Sequence, residues 1–214
     1  MAGDRPMTRL RVLVACEYSG RVRDAFIRLG HDAVSCDILP SDAPGPHIQG
    51  DVLSVLGDGW DLMIAHPPCT YLANSGVCHL HKDAKRWIAL FHGADFFKAL
   101  LNAPIKMVAI ENPVMHKYAK RLIGTDGPTQ IVQPWMFGHK EQKATGLYLR
   151  GLMPLRETSN VRAETMALPD NERQRLHYLP PGPNRWKLRS TTFQGIADAM
   201  ADQWGGDVRT QAND

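Results

Sequence analysis

The chain has 214 residues, 43% hydrophobic and 22% charged, with a net charge of +3. That length suits a single globular domain, one that hides roughly 70% of its unfolded surface. No apolar run approaches the ~20 residues of a membrane helix, and Met1 to Pro6 shows no secretory leader, so a cytoplasmic protein is expected.

Arg11 to Ala15 reads as a buried strand, Arg21 to Leu29 as a helix closed by Gly30, and Ala33 to Cys36 as a second strand. Val52 to Leu56 forms a short element and Leu62 to Ala65 a third strand. From Ala84 to Leu101, apolar residues at Trp87, Ile88, Leu90, Phe91, Ala94, Phe97 and Leu101 recur at helical spacing. Met107 to Ile110 and Gly146 to Leu149 are further strands, and Thr192 to Trp204 is a closing helix with Ile196, Met200 and Trp204 on one face. Strand–helix alternation of this kind gives an α/β fold with a mostly parallel, doubly wound sheet. A single catalytic domain is expected over residues 8–204. Within it, the proline-rich stretch 154–189 reads as a loop-rich, substrate-binding insertion, and 205–214 as a flexible tail.

Charge is uneven. Between Arg156 and Arg189 there are seven Arg or Lys (156, 162, 173, 175, 185, 187, 189) against four acids (157, 164, 170, 172). This basic third suits a polyanionic partner or is a solvated loop.

In a doubly wound sheet ligands gather at the carboxyl ends of the strands. The residues there are Cys16 to Gly20, Asp37, Asp51, His66 to Cys69, and Glu111 to Pro113. A carboxylate at Asp37 can accept both ribose hydroxyls of an adenosine-type cofactor. The first turn has Gly20 alone in place of a glycine-rich cradle, which favours a cofactor without phosphates.

The four cysteines are too scattered for a disulfide framework, so reduced thiols are expected. Pro67 and Pro68 fix the backbone after a strand and aim Cys69 from a rigid base, a setting that favours a nucleophile over packing. Glu111 ends the next strand and can approach the same cleft. Beside a thiolate it is expected to stay protonated and to donate to a pyrimidine nitrogen. His66 reads as a turn residue. Cys78, His79 and His81 have poor spacing for a metal, and no metal is expected. A zinc deaminase would need Pro-Cys-x-x-Cys, which the chain lacks after Pro68-Cys69.

Pro-Pro-Cys after one strand and Glu-Asn-Pro after the next resemble the motifs of the cytosine-5 DNA methyltransferase family. Leu13 to Gly20, Asp37, Gly50-Asp51, Asp83 to Arg86, Phe137-Gly138 through Thr145, and Arg189 to Thr192 follow in the family's order over residues 11 to 204. The resemblance implies a Rossmann-like methyltransferase fold using S-adenosylmethionine and releasing S-adenosylhomocysteine. It implies cofactor contacts at Ala15, Cys16, Glu17, Tyr18, Ser19, Gly20, Asp37, Asp51, Pro67, Ser190 and Thr191. Catalysis falls to Cys69 and Glu111, with Lys143 and Thr145 standing where the family has two arginines. The partner implied is double-stranded DNA with a flipped cytosine, read by a monomer through Asn74, Ser75, Arg185, Lys187 and Arg189. Thr70 to Lys82 would form a closing loop. Only 33 residues separate Leu155 from Arg189, too few for the family's target-recognition domain. The chain therefore resembles small, often phage-borne members with short or relaxed specificity, working in a host cytoplasm. The same chemistry on a free nucleotide, RNA or single-stranded DNA, and a non-catalytic nucleic-acid-binding relic, remain as alternatives.

Overall fold

Two short strands, β1 (Arg11–Ala15) and β4 (Leu62–Ala65), lie side by side at the centre of a seven-stranded sheet. Both are runs of apolar residues buried on either face, as a central parallel strand requires. The computed structural model describes residues 8–206. Around this pair stand β2 (Asp32–Asp37), β3 (His47–Gln49), β5 (Met107–Pro113), β6 (Gln130–Val132) and β7 (Thr145–Arg150). Their order is β3-β2-β1-β4-β5-β7-β6. The first five are parallel, and β7 runs antiparallel to both neighbours. This is the expected mostly parallel, doubly wound, Rossmann-like sheet.

Alternate side chains of each strand point to opposite faces, so each face has its own core. Leu13, Met63 and Val108 pack on one side against helices α2 (Ala84–Leu101) and α3 (Lys117–Ile123). Val12, Leu62 and Ala109 pack on the other against α1 (Arg21–Arg28) and α8 (Gln194–Gly205). On α8 the expected face of Ile196, Met200 and Trp204 is buried.

Some expectations are revised. On α2 the buried stripe is Leu90, Ala94, Phe97 and Leu100, while Ile88 and Phe91 are 58% and 49% exposed. Ile88 sits about 200° around the helix from Leu90, so it cannot share that face. Strand β5 continues through Glu111 to Pro113 because β7 pairs with it along its whole length. The 154–189 stretch carries four short helices, α4 (Arg162–Met166), α5 (Asp170–Arg173), α6 (Arg175–Tyr178) and α7 (Arg185–Ser190). Its prolines lie between these helices rather than inside them, where they would break the backbone ladder. Gly205, expected in the tail, is buried in α8, and residues 207–214 of that tail lie outside the described residues.

A wholly buried arginine ties the edge of the sheet to α1. Arg23 Nη1 donates to Ser35 Oγ (3.1 Å) and Ser41 Oγ (3.2 Å), Nη2 to the Pro44 carbonyl (2.9 Å), and Nε to Asp24 (2.7 Å). Gly20 and Gly45, both at positive φ, make room for it, since a Cβ at either would come within 2.8 Å of the guanidinium. Arg23→Met is expected to lower stability by about 3 kcal/mol, because several buried acceptors lose their donor. Urea unfolding measures this, and a loss below about 1 kcal/mol would deny the tie its role.

Candidate active site

The strand order reverses between β1 and β4. After β1 the chain turns towards α1 and β2; after β4 it turns towards α2 and β5, and the divergence opens a crevice at the carboxyl ends. The His66 amide still donates to the Ala15 carbonyl (2.9 Å), so the two turns start in register. Between them lies a cavity of about 950 Å³. Asp37 and Asp51 line one part of it, and Cys69 and Glu111 also open into it. That volume is near the top of the roughly 300–1,000 Å³ usual for a single ligand pocket.

The first turn is strained. Cys16 has φ +57°, the only positive φ of a non-glycine among the described residues, at a cost of about 1–2 kcal/mol. Burial, then the charges of Asp37, Cys36 and Asp51, push its thiol far above the ordinary range, so it is neutral. Burial and Asp37 push Cys36 to about 11. Glu17, expected at the cofactor, lines the cavity, but its carboxylate caps α1. It accepts from the Val22 amide (2.8 Å), the Ser19 hydroxyl (3.1 Å) and the Arg23 amide (3.3 Å). This supplies the cap that Gly20 lacks. Asp37 accepts from the Leu39 amide (2.9 Å) and Asp51 from the Leu53 amide (3.0 Å), which fixes both carboxylates. Tyr18, Ser19, Pro67, Ser190 and Thr191 also line the cavity. Ala15 is buried inside β1 and Gly20 packs on Arg23; neither lines it.

Helix α7 borders this part of the cavity and is fastened to the turn after β1 and to the loop after β2. The Tyr18 hydroxyl lies 3.0 Å from Ser190 Oγ and donates to the Lys187 carbonyl (3.3 Å). The Tyr18 ring meets Trp186 at 5.5 Å, and Lys187 Nζ pairs with Asp42 (2.7 Å). Lys187 is therefore engaged within the chain. So is Arg185, which donates to the Leu179 (2.8 Å) and His177 (3.2 Å) carbonyls. Of the residues expected to meet nucleic acid, Ser75 and Arg189 line the cavity; Asn74, Arg185 and Lys187 do not. The expected loop 70–82 is folded, with Asn74–Lys82 in 3₁₀ turns, the Asn74 amide bonded to the Val114 carbonyl (2.9 Å) and Leu80 buried.

At the reactive part, Asn112 Nδ2 donates to the Pro67 carbonyl (3.4 Å), and the amides of Leu72 and Ala73 donate to the Cys69 carbonyl. These bonds hold the proline turn. The pairing of Ala65 with Ile110 places the next residues, His66 and Glu111, side by side. His66 Nδ1 and Glu111 Oε2 are 3.0 Å apart, with the side chains 8% and 15% exposed, and His66 Nε2 is buried without a partner. Burial alone would raise the Glu111 carboxyl, but the His66 hydrogen bond and the Lys143 charge outweigh it and hold the group below its usual range. Glu111 is thus ionised, not protonated as expected from its proximity to a thiol. Cys69 is raised, first by burial and then by Glu111, against the smaller lowering effects of Lys143 and Arg189.

Lys143 lines the cavity and its Nζ donates to the Arg189 carbonyl (2.9 Å). Thr145 lies buried in β7, outside the cavity, with its hydroxyl on the Lys143 carbonyl (3.3 Å). The insertion grips the segment before Lys143. Glu141 accepts from the Leu176 amide (3.0 Å) and Arg175 (3.2 Å), and the Gln142 amide donates to the Arg173 carbonyl (2.6 Å). Trp186, unremarked in the sequence, also lines the cavity, as does Arg86 at the end of the Asp83 to Arg86 segment. Among the described residues no three His, Cys, Asp or Glu gather as a metal site, and no helix is long and apolar enough to cross a membrane.

Neither a protein-family model nor a curated protein matches the chain. Among solved structures it is similar to a protein described as a DNA modification methyltransferase encoded within an E. coli prophage. That match has a TM-score of 0.41 and 17% identity over 75% of this chain and 56% of the other. It is also similar to the S. pombe Dnmt2 methyltransferase, with a TM-score of 0.40 and 16% identity over 74% and 54% of the two chains. The chain therefore spans just over half the length of each.

The charge of Glu111 raises the Cys69 thiol, so Glu111→Gln lowers it and leaves more thiolate at a given pH. Iodoacetamide labelling of Cys69 near pH 8, followed by peptide mass spectrometry, is expected to accelerate several-fold in this variant. Slower or unchanged labelling would contradict that electrostatic picture.

Proposed function

We propose that this chain transfers a methyl group from S-adenosylmethionine to carbon 5 of cytosine in DNA, through a covalent adduct at Cys69. The observation that carries the reading is the convergence of Cys69 and Glu111, from adjacent strands, on the cavity that also holds Asp37 and Asp51. Fixed carboxylates without a glycine-rich anion cradle suit an uncharged ribose better than a pyrophosphate. Asp37 and Asp51 would hold the nucleoside part, and the bound cofactor supplies an electrophilic methyl on sulfur.

Carbon 5 of cytosine is a weak nucleophile until the ring loses its aromaticity. Cys69 thiolate adds to carbon 6, and the displaced ring electrons reach nitrogen 3, where Glu111 delivers a proton. Carbon 5 then takes the methyl, loses its proton, and the carbon–sulfur bond breaks to restore the ring. A base inside a duplex is out of reach of Cys69 and must be flipped into the cavity. The short helices of the insertion support relaxed sequence choice.

Incubation with methyl-tritiated S-adenosylmethionine and duplex DNA, single-stranded DNA, RNA or mononucleotide tests the reading. Label is expected on duplex DNA, with a loss of about 10³-fold or more in Cys69→Ser and about 100-fold in Glu111→Gln. A 5-fluorocytosine duplex should be trapped covalently by the wild type and not by Cys69→Ser. Label confined to mononucleotide or RNA would sink the DNA substrate. Asp37→Ala is expected to weaken cofactor binding about tenfold, or 1.4 kcal/mol, by calorimetry; unchanged affinity would remove Asp37 from that site.

A further inference from the structure

The chemistry above asks Glu111 to give a proton, yet the surroundings hold it ionised. From β5 it faces the His66 imidazole at the end of β4, the Lys143 ammonium from the segment before β7, and the Cys69 thiol. Arg189 of α7 acts on the same thiol. The cations among these oppose protonation of the carboxylate. His66 is hydrogen-bonded to it at 3.0 Å and so is placed to hand it a proton directly. Its ring is nearly closed off from solvent, and its Nε2 is buried with no partner, so Glu111 is its only side-chain hydrogen-bond partner among the described residues.

We propose that His66 is the proton store for Glu111, a positioning residue that keeps the carboxylate oriented and recharges it during the reaction. This rests on the cytosine reading above. The pair holds one mobile proton, either as imidazolium and carboxylate or as imidazole and carboxylic acid. The Cys69 thiol first gives its proton to solvent, to be regained when the carbon–sulfur bond breaks, and as the thiolate bonds to carbon 6 the ring π electrons move to nitrogen 3. The Nδ1 proton of His66 passes to Glu111 and from Glu111 to that nitrogen, leaving a neutral imidazole and a carboxylate. As the ring regains aromaticity, nitrogen 3 returns the proton to Glu111 and the pair passes it back to His66. No net proton leaves the pair; the one released comes from carbon 5.

The test compares wild type, His66→Asn and His66→Ala in single-turnover methyl transfer to duplex DNA at saturating S-adenosylmethionine, from about pH 6 to about 9. Asparagine keeps a side-chain donor for Glu111 but carries no mobile proton. Both variants are expected to melt and bind cofactor like the wild type. Near pH 8 both should transfer methyl about 100-fold more slowly, with the alkaline limb of the profile moved to lower pH. An Asn variant with the wild-type rate and profile overturns the store and leaves orientation alone. Nitrogen-15 spectra of labelled histidines add a readout independent of turnover. A His66 proton on Nδ1 is expected, and one found only on Nε2 overturns the proposal. Wild-type protein that labels no cytosine at any pH refutes the function itself, and this inference with it.

Discussion

Two adjacent strands whose chains must leave in opposite directions set the form of the whole carboxyl edge. After β1 the backbone has almost no room to turn, and Cys16 takes a left-handed conformation that most side chains avoid. Glycine would relieve that turn, but a thiol stands there, buried and neutral between Asp37 and Asp51. Glu17 then compensates for the weak start of α1 by receiving its free amides, and Arg23 locks the same helix to β2 and the turn beyond it. The crevice is therefore held open by polar contacts as much as by apolar packing.

Five ionisable groups at the other part of the cavity counteract one another. Burial and Glu111 disfavour a Cys69 thiolate, while Lys143 and Arg189 favour it less strongly. At neutral pH the sulfur rests as a thiol, which protects it from alkylation and oxidation. Each unit by which such a balance moves is worth about 1.4 kcal/mol, so one neighbouring charge is enough to change the thiolate fraction tenfold. His66 and Lys143 act on Glu111 in the same direction and together outweigh what its burial alone would do. The site favours anionic oxygen and neutral sulfur.

Much of this was legible in the sequence. Continuous apolar runs gave β1, β4 and α2 at their observed limits, because buried parallel strands and a long helix leave strong periodic signals. Strands β3 and β6 have three residues each and exist through pairing alone, so no local pattern announces them. Cys69 and Glu111 could be chosen by their places after strands, but the partnership of His66 with Glu111 depends on the register of β4 against β5. Composition showed the positive charge at Arg185 and Lys187; it could not show that carbonyls and Asp42 already engage them. The protonation expected for Glu111 failed for the same reason, since its deciding neighbours, His66 and Lys143, come from two other segments of the chain.

The grip of α5 and α6 on Glu141 and Gln142 has a mechanical consequence. These helices lie in the stretch between β7 and α8, and their hold ends one residue short of Lys143. Lys143 is moored on its far side by the Arg189 carbonyl of α7. The ammonium is thus suspended between two points of one insertion. The charge that lowers the Cys69 thiol is therefore held in place by contacts from outside the sheet, so the position of the proline-rich stretch bears on how readily the sulfur gives up its proton.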